Sequence, residues 1–497
     1  MRVLFVTAEV FPLIKTGGLA DVSAALPEAL RKSGVDVRVL TPAYPQALAR
    51  VGNVREGLRL GDPLGRGDTR LLEAELPGSK VPVWLVDCPA LYDRPGGPYR
   101  DPAGREWADN HLRFALLNHV AAALANEEGA RWRPNIVHAN DWHAGLVPLL
   151  LARDGRKAPP VVFTIHNLAY QGLFDASCFG ALGLPPDAYA HLEYYRRLSF
   201  LKAGIEMADT VTTVSPTYAA EILSPEFGCG MDGVLRARTG QPIGILNGID
   251  CQLWNPERDP CLPANYSVHA MQGKPVCKRE LRAALGLDES AGPLIAFTSR
   301  LSHQKMPDIV LDAVPALLES GAQFAVVAEG DGAYEAAFVD LAQRYPGQVA
   351  AQIGYDETLA HRLLGGADIL LHPARFEPCG LVPLYAMRYG AVPVVRRCGG
   401  LADSVVDLDG RFGGPWATGF TFEAPTADGM IAAVRRALAV FRQPLLWRRL
   451  ATAGMTPDRS WRAPAQAYKR LYQAMIGITT GGRAPAAVPD QKLRQTA

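Results

Sequence analysis

Three things are scarce in this chain. Its longest apolar stretches, such as Val147-Pro-Leu-Leu-Leu-Ala152, fall far short of the roughly 18 residues that a membrane-crossing helix needs, so no membrane partner is expected. Net charge is nearly absent: 51 Lys and Arg against 50 Asp and Glu leave +1. No long basic run is available to neutralise a row of phosphates, which argues against a nucleic-acid partner. Paired cysteines are missing too. The eight stand at 88, 178, 229, 251, 261, 277, 379 and 398 with no C-x-x-C spacing. The apolar run at the N-terminus is brief and broken by Glu9, so a reduced, cytoplasmic protein is expected.

What is present is length and alternation. The 497 residues exceed what one hydrophobic core usually organises, so two large domains are the default. Short apolar runs of strand type at 2–7, 35–40, 81–86, 135–138, 161–165 and 210–214 are separated by helical or glycine-containing stretches, and a first domain closes near Ile245. The Pro-, Asp- and Asn-rich segment from Cys251 to Ser267 suits a connection between domains. A second series follows, with strands at 294–298, 324–328, 367–372 and 392–396 and helices at 309–318 and 381–389. Alternating β and α elements build largely parallel sheets, so each half is expected to be a doubly wound, Rossmann-like α/β domain, the two facing a ligand-binding cleft. Ser460 to Met475 has the spacing of one last amphipathic helix, and the tail after Gly477 lacks the apolar content for a core.

Candidate chemistry gathers on the stretch His372-Pro-Ala-Arg-Phe-Glu-Pro-Cys-Gly-Leu381, which runs from a strand to a helix. The free N–H groups opening a helix suit an anion such as phosphate. Glu377 would repel that phosphate and is better matched to neutral hydroxyls, as on a sugar. A sugar on Glu377 and a phosphate on the helix describe a sugar nucleotide. Cys379 stands beside the helix start, where a thiol pKa can fall, yet it has no base, and Glu377 opposes its thiolate; a small residue in a tight loop is the better reading.

Lys15-Thr-Gly-Gly is no P-loop, but the backbone of Gly17 and Gly18 offers close approach to a diphosphate and Lys15 offers charge. His138-Ala-Asn-Asp-Trp-His143 invites a metal reading that fails for want of a third ligand at suitable spacing, so no metal or other cofactor is expected; Asp141 is better matched to sugar hydroxyls. His166 and Asn167 follow a buried strand, where His166 is either a structural residue or half of a ligand-facing pair. Arg300 and Lys305, read as two cations on a loop after a strand, are either solvated or set to neutralise a departing diphosphate in place of a metal ion.

These pieces in this order resemble the bacterial glycogen synthase and plant starch synthase family, retaining glycosyltransferases of GT-B architecture. The resemblance rests on Phe11-Pro-Leu-Ile-Lys-Thr-Gly-Gly-Leu-Ala-Asp-Val22, Leu91-Tyr-Asp-Arg-Pro-Gly-Gly-Pro-Tyr99, His138-Ala-Asn-Asp-Trp-His-Ala-Gly145, Thr164-Ile-His-Asn-Leu-Ala-Tyr-Gln-Gly172, Leu246-Asn-Gly-Ile-Asp250, Ser299-Arg-Leu301 with Gln304-Lys305, Arg375-Phe-Glu-Pro-Cys-Gly-Leu381 and Val395-Arg-Arg-Cys-Gly-Gly-Leu-Ala-Asp403. It implies an acceptor-side domain over 1–245, a nucleotide-sugar domain over 246–459 and a helix over 460–477 crossing back to the first domain, beyond which the composition of 478–497 leads to the expectation of a disordered tail. It also implies transfer of glucose from ADP-glucose to the non-reducing end of glycogen or another α-1,4-glucan.

Residue by residue, the resemblance puts Lys15 and Gly18 beside the diphosphate, and Asp141, His166, Asn167 and Asn247 around the glucose. Tyr99 and Tyr355 match cleft-lining aromatics, with Tyr170 also on the acceptor side. Arg300 and Lys305 match the pair that holds the leaving diphosphate. Glu377, Cys379, Gly380 and Leu381 match the donor loop. Two departures stand out: Val382-Pro383 where the family usually has Thr-Gln, and Met306-Pro307 where a Gly usually follows the lysine. A nucleotide-sugar isomerase on a similar scaffold, or a glucan-binding protein that has lost turnover, are the alternatives.

Overall fold

The computed structural model describes residues 1–126, 132–153, 158–354, 356–409 and 416–480. It contains two large sheets and a small one. In the first, nine strands lie in the order Ile243–Gly244, Thr210–Thr213, Val161–Ile165, Ile136–Asn140, Arg2–Val6, Asp36–Pro42, Pro82–Asp87, Thr69–Glu75 and Arg55–Gly61. The pairs from Val161–Ile165 through Pro82–Asp87 run parallel. The last two strands add antiparallel to the edge. The edge strand Arg55–Gly61 escapes the apolar-run reading because it is almost wholly exposed, leaving it no hydrophobic face to betray it.

The second sheet has six strands, all paired parallel, in the order Val349–Ile353, Gln323–Gly330, Leu294–Leu301, Ile369–His372, Val392–Arg396 and Phe420–Phe422. Numbered along the chain this is 3-2-1-4-5-6, the doubly wound arrangement whose order reverses between strands one and four. Its inner strands are buried on both faces: Ile295, Phe297, Phe324, Val326, Ile369 and Leu371 pack into one apolar layer, and Leu294, Ala296, Ala325 and Leu370 into another.

By compactness the described chain divides into two units. One comprises Met1–Ile165, Tyr170–Val211 and the chain from Arg462; the other comprises His166–Ala169 and Thr212–Trp461. The C-terminal helix runs Arg462–Thr480, later at both ends than its spacing suggests. Within the first unit Tyr472 Oη meets His138 Nδ1 at 2.7 Å, and Lys469 Nζ donates to the Ser33 carbonyl at 2.5 Å. Of the tail expected to lack structure, 478–480 close this helix and 481–497 lie outside the described residues. No helix among the described residues is long and apolar enough to cross a membrane.

Candidate active site

Ligands of doubly wound sheets bind beyond the carboxyl ends of the strands where the order reverses. In the second unit those strands are Leu294–Leu301 and Ile369–His372, and the chemistry-bearing loops follow them. Arg300 is not on a loop, as its polar surroundings suggested. The strand continues through it to Leu301, because its backbone pairs in register with Glu329 and Gly330 of the neighbouring strand. Arg300 is exposed there, while Lys305 ends a short 3-10 turn, His303–Lys305. Cross-bonds lash that turn to the Glu377 loop. Arg375 N donates to Gln304 O at 2.8 Å, Gln304 Nε2 donates to Phe376 O at 3.0 Å, and the Arg375 guanidinium reaches Asp308 at 3.0 Å.

Glu377 is buried, and two donors fall on the same oxygen. Lys305 Nζ forms an ion pair with Oε2, and His372 Nε2 lies 3.2 Å from it. Burial alone would raise the carboxyl pKa, but the Lys305 ammonium and the His372 hydrogen bond outweigh it and hold the group down at about 2. Glu377 is thus an ionised acceptor at any ordinary pH. Its carbonyl accepts from Gly400 N at 2.9 Å, an approach so close that a Cβ on Gly399 would collide with that carbonyl, and one on Gly400 with the Cys379 backbone.

The helix Leu381–Arg388 starts from Gly380, whose φ of +81° needs glycine. No side chain among the described residues caps it. Leu381 and Val382 hold the first two helical positions, and Pro383 has no N–H, so an anion at this terminus has fewer backbone donors than at most helices. The Cys379 thiol is pushed up to about 12 by burial, against opposing hydrogen bonds from Asn247. It is a thiol, not a thiolate, which agrees with a small loop residue. Asn247 is buried beside it, and its Oδ1 has no partner among the described residues.

The His166–Ala169 segment belongs to this unit. Asn167 Nδ2 donates to Gln304 Oε1 at 3.3 Å, and Leu168 N donates to Tyr218 Oη at 3.0 Å. Enclosure of the His166 ring lowers its pKa to about 3, so it is a neutral imidazole. Asn167, Lys305, Glu377, Cys379, Asn247, Gly380 and Leu381 are therefore linked by a continuous chain of contacts and backbone. Tyr355 lies outside the described residues.

The remaining candidates stand in the first unit, at the other order reversal, between Arg2–Val6 and Ile136–Asn140. Lys15 Nζ is paired with Asp21 at 2.9 Å, and Gly18 is the exposed first residue of the helix Gly18–Lys32. Gly17 does not offer its N–H freely. The buried Glu9 carboxylate accepts from the N–H groups of Thr16 and Gly17, the latter at 3.3 Å, and from the Tyr99 hydroxyl. Glu9 is the residue that motif reading missed; its signal was an acid three positions past a buried strand, facing a glycine loop. Tyr99 also stacks on His143 at 4.9 Å.

Asp141 is buried at the end of its strand with φ +58°, a conformation that costs a non-glycine residue about 1–3 kcal/mol and concentrates at functional positions. His138 offers a metal nothing. Its ring nitrogens already meet Tyr472 Oη at 2.7 Å and Thr164 Oγ1 at 2.6 Å. The group among the described residues whose atoms could converge on an ion is instead Asp259, Cys261 and His361. There His361 Nδ1 is 2.7 Å from Asp259, and its ring stacks on Trp254 at 3.9 Å, as expected of a packed polar network.

Comparison with known proteins decides the family. The starch synthase catalytic domain model matches residues 2–237, and the glycosyl transferases group 1 model matches residues 278–440. A glycogen synthase of Burkholderia thailandensis is 53% identical over 482 residues, covering 95% of this chain and 90% of its own. The chain belongs to the glycogen and starch synthase family. A second glycogen synthase, from Paramagnetospirillum magneticum, is 50% identical over 485 residues, covering 96% and 98% of the two chains. The catalytic domain of starch synthase IV from Arabidopsis thaliana, solved with ADP and acarbose, matches with a TM-score of 0.86 at 31% identity, over 96% of this chain and 99% of that one.

The fold is thus GT-B and the protein a hexosyltransferase; these relatives give no support to an isomerase or a binding-only protein. One departure from the family pattern now has a geometry. Met306, where the family usually has glycine, adopts φ +53° and is fully buried in the apolar layer of the second sheet.

Proposed function

We propose that this glycogen synthase family member transfers glucose from ADP-glucose to the non-reducing 4-hydroxyl of an α-1,4-glucan with retention of anomeric configuration, in the cytoplasm. The observation that carries the reading is the ionised Glu377 beside the uncapped helix at Leu381. With Lys305 and His372 both on Oε2, the other carboxylate oxygen remains to accept a sugar hydroxyl. The helix start takes the phosphates.

In this assignment the bond between the glucosyl carbon and the diphosphate oxygen breaks as the acceptor oxygen adds on the same face, and the acceptor proton passes to the departing phosphate oxygen. Arg300 and Lys305 stabilise the charge that builds on that oxygen, which a fixed cation does best in a site shielded from water. One ammonium proton of Lys305 engages Glu377, and two remain for phosphate. Neutral His166, Asn167 and Asn247 hydrogen-bond the glucose. Lys15 and Gly18 are assigned to the diphosphate side, and Tyr99, Asp141 and Tyr355 to the sugars.

The test mixes protein, ADP-glucose or UDP-glucose, and glycogen, and follows nucleotide release and polymer growth. Polymer-dependent ADP release is the expected result. Release only from UDP-glucose would overturn the donor assignment, and rearranged sugar nucleotide without polymer growth would overturn the transfer itself.

A further inference from the structure

His372 closes the strand Ile369–His372, whose other three residues are aliphatic, and it is as buried as they are. A valine or leucine would leave no polar atom to satisfy there. The imidazole does not: Nδ1 is buried with no hydrogen-bond partner among the described residues, an arrangement that costs folding free energy. What the ring does accomplish is at Nε2, which lies 3.2 Å from Glu377 Oε2. Ionised Glu377 is acceptor-only, so Nε2 carries the hydrogen and Nδ1 is the bare nitrogen.

We infer that His372 is a positioning residue for Glu377: its Nε2–H, with Lys305, fixes the carboxylate by Oε2 and leaves Oε1 as the oxygen offered to a sugar hydroxyl. The inference rests on the role assigned to Glu377 above. Two donors on one oxygen restrict the carboxylate more than either alone, since an ammonium is a point charge without directional preference whereas the imidazole N–H is fixed by its strand. The other ionisable groups around Glu377 are the Cys379 and Cys398 thiols, each pushed up to about 12 by burial and hence neutral, with Arg396, Glu221 and Asp403 acting on those thiols. Burial, with the Lys305 charge beside it, lowers the pKa of His372 and so favours the neutral imidazole as the donor.

The experiment compares pH profiles of kcat/KM for glucosyl transfer from ADP-glucose to glycogen in the wild type, His372→Leu, His372→Gln and Glu377→Gln. Loss of a hydrogen bond to a charged group is expected to lower the rate of the Leu variant roughly tenfold at neutral pH. Its acid limb should move up by about one pH unit, because the carboxyl then protonates more easily. The Gln variant, which keeps an N–H at the same reach, recovers the limb. In a Glu377→Gln background the His372→Leu change has no effect on the profile.

An inactive Glu377→Gln beside a His372→Leu whose limb has not moved overturns the inference, whether or not its rate has fallen. A folded His372→Gln as impaired as the Leu variant overturns it as well. A fully active Glu377→Gln instead overturns the role given to Glu377.

Discussion

Lys305 and Glu377 form a part-buried ion pair across 72 positions of sequence, joining the turn after one strand to the loop after its neighbour. The pair sets the charge of the candidate site. A lone carboxylate facing phosphates would repel them; paired with Lys305, Glu377 no longer presents a net negative charge of its own.

Replacing Lys305 by Ala removes both the counter-charge of Glu377 and the cation proposed to stabilise the leaving phosphate. Turnover with ADP-glucose is expected to fall on the order of 10²-fold or more, by analogy with loss of one preorganised donor. Steady-state ADP release measures it, and normal turnover would show that the leaving group is held elsewhere.

Glu377 also leaves a signature in stability. Its carboxyl is held at about 2 in the folded protein against an ordinary 4.5, so its contribution is fully present above about pH 4.5 and is lost as pH falls toward 2. Melting temperature followed from pH 6 to pH 3 should decline less steeply in Glu377→Gln than in the wild type. Parallel curves would contradict the depressed pKa.

At Met306 two effects oppose one another. Glycine would relieve a left-handed conformation worth about 1–2 kcal/mol, but it would delete a fully buried side chain whose loss costs about 2–5 kcal/mol. Lost packing outweighs relieved strain, so Met306→Gly is expected to lower stability by roughly 1–3 kcal/mol, read from the urea midpoint. A stabilised variant would mean that the strain dominates.

Asp141 gives the reverse expectation. Asp141→Gly removes backbone strain of about 1 kcal/mol or more and, with it, the carboxylate assigned to sugar hydroxyls. The melting temperature should rise while glucan extension drops at least tenfold. A variant that gains stability and keeps its activity would show that the strain serves something other than this carboxylate.

Much of the fold is legible in the residue order because buried parallel strands are short apolar runs and their loops carry the motifs: the strand Val161–Ile165, the cap Ser215 before Pro216, and the Gly380 helix start are all visible there. Arg300 reads as a loop residue because a strand's polar end is held by backbone pairing, which leaves no trace in hydrophobicity. Glu9 reads only as an interruption of an apolar run. Its partners, Thr16, Gly17 and Tyr99, are up to 90 positions away and meet only through the fold. His372 escapes notice for the opposite reason: it stands five residues from Glu377, but whether a strand's last side chain and a loop's carboxylate meet depends on how the loop turns back.

The hydrogen bond between Tyr472 and His138 spans 334 positions, and that from Lys469 to Ser33 spans 436. The unit that leaves the ribosome first is therefore finished last. Its central strand waits, with the His138 imidazole lacking one partner, until the whole second unit has been synthesised and the helix from Arg462 emerges.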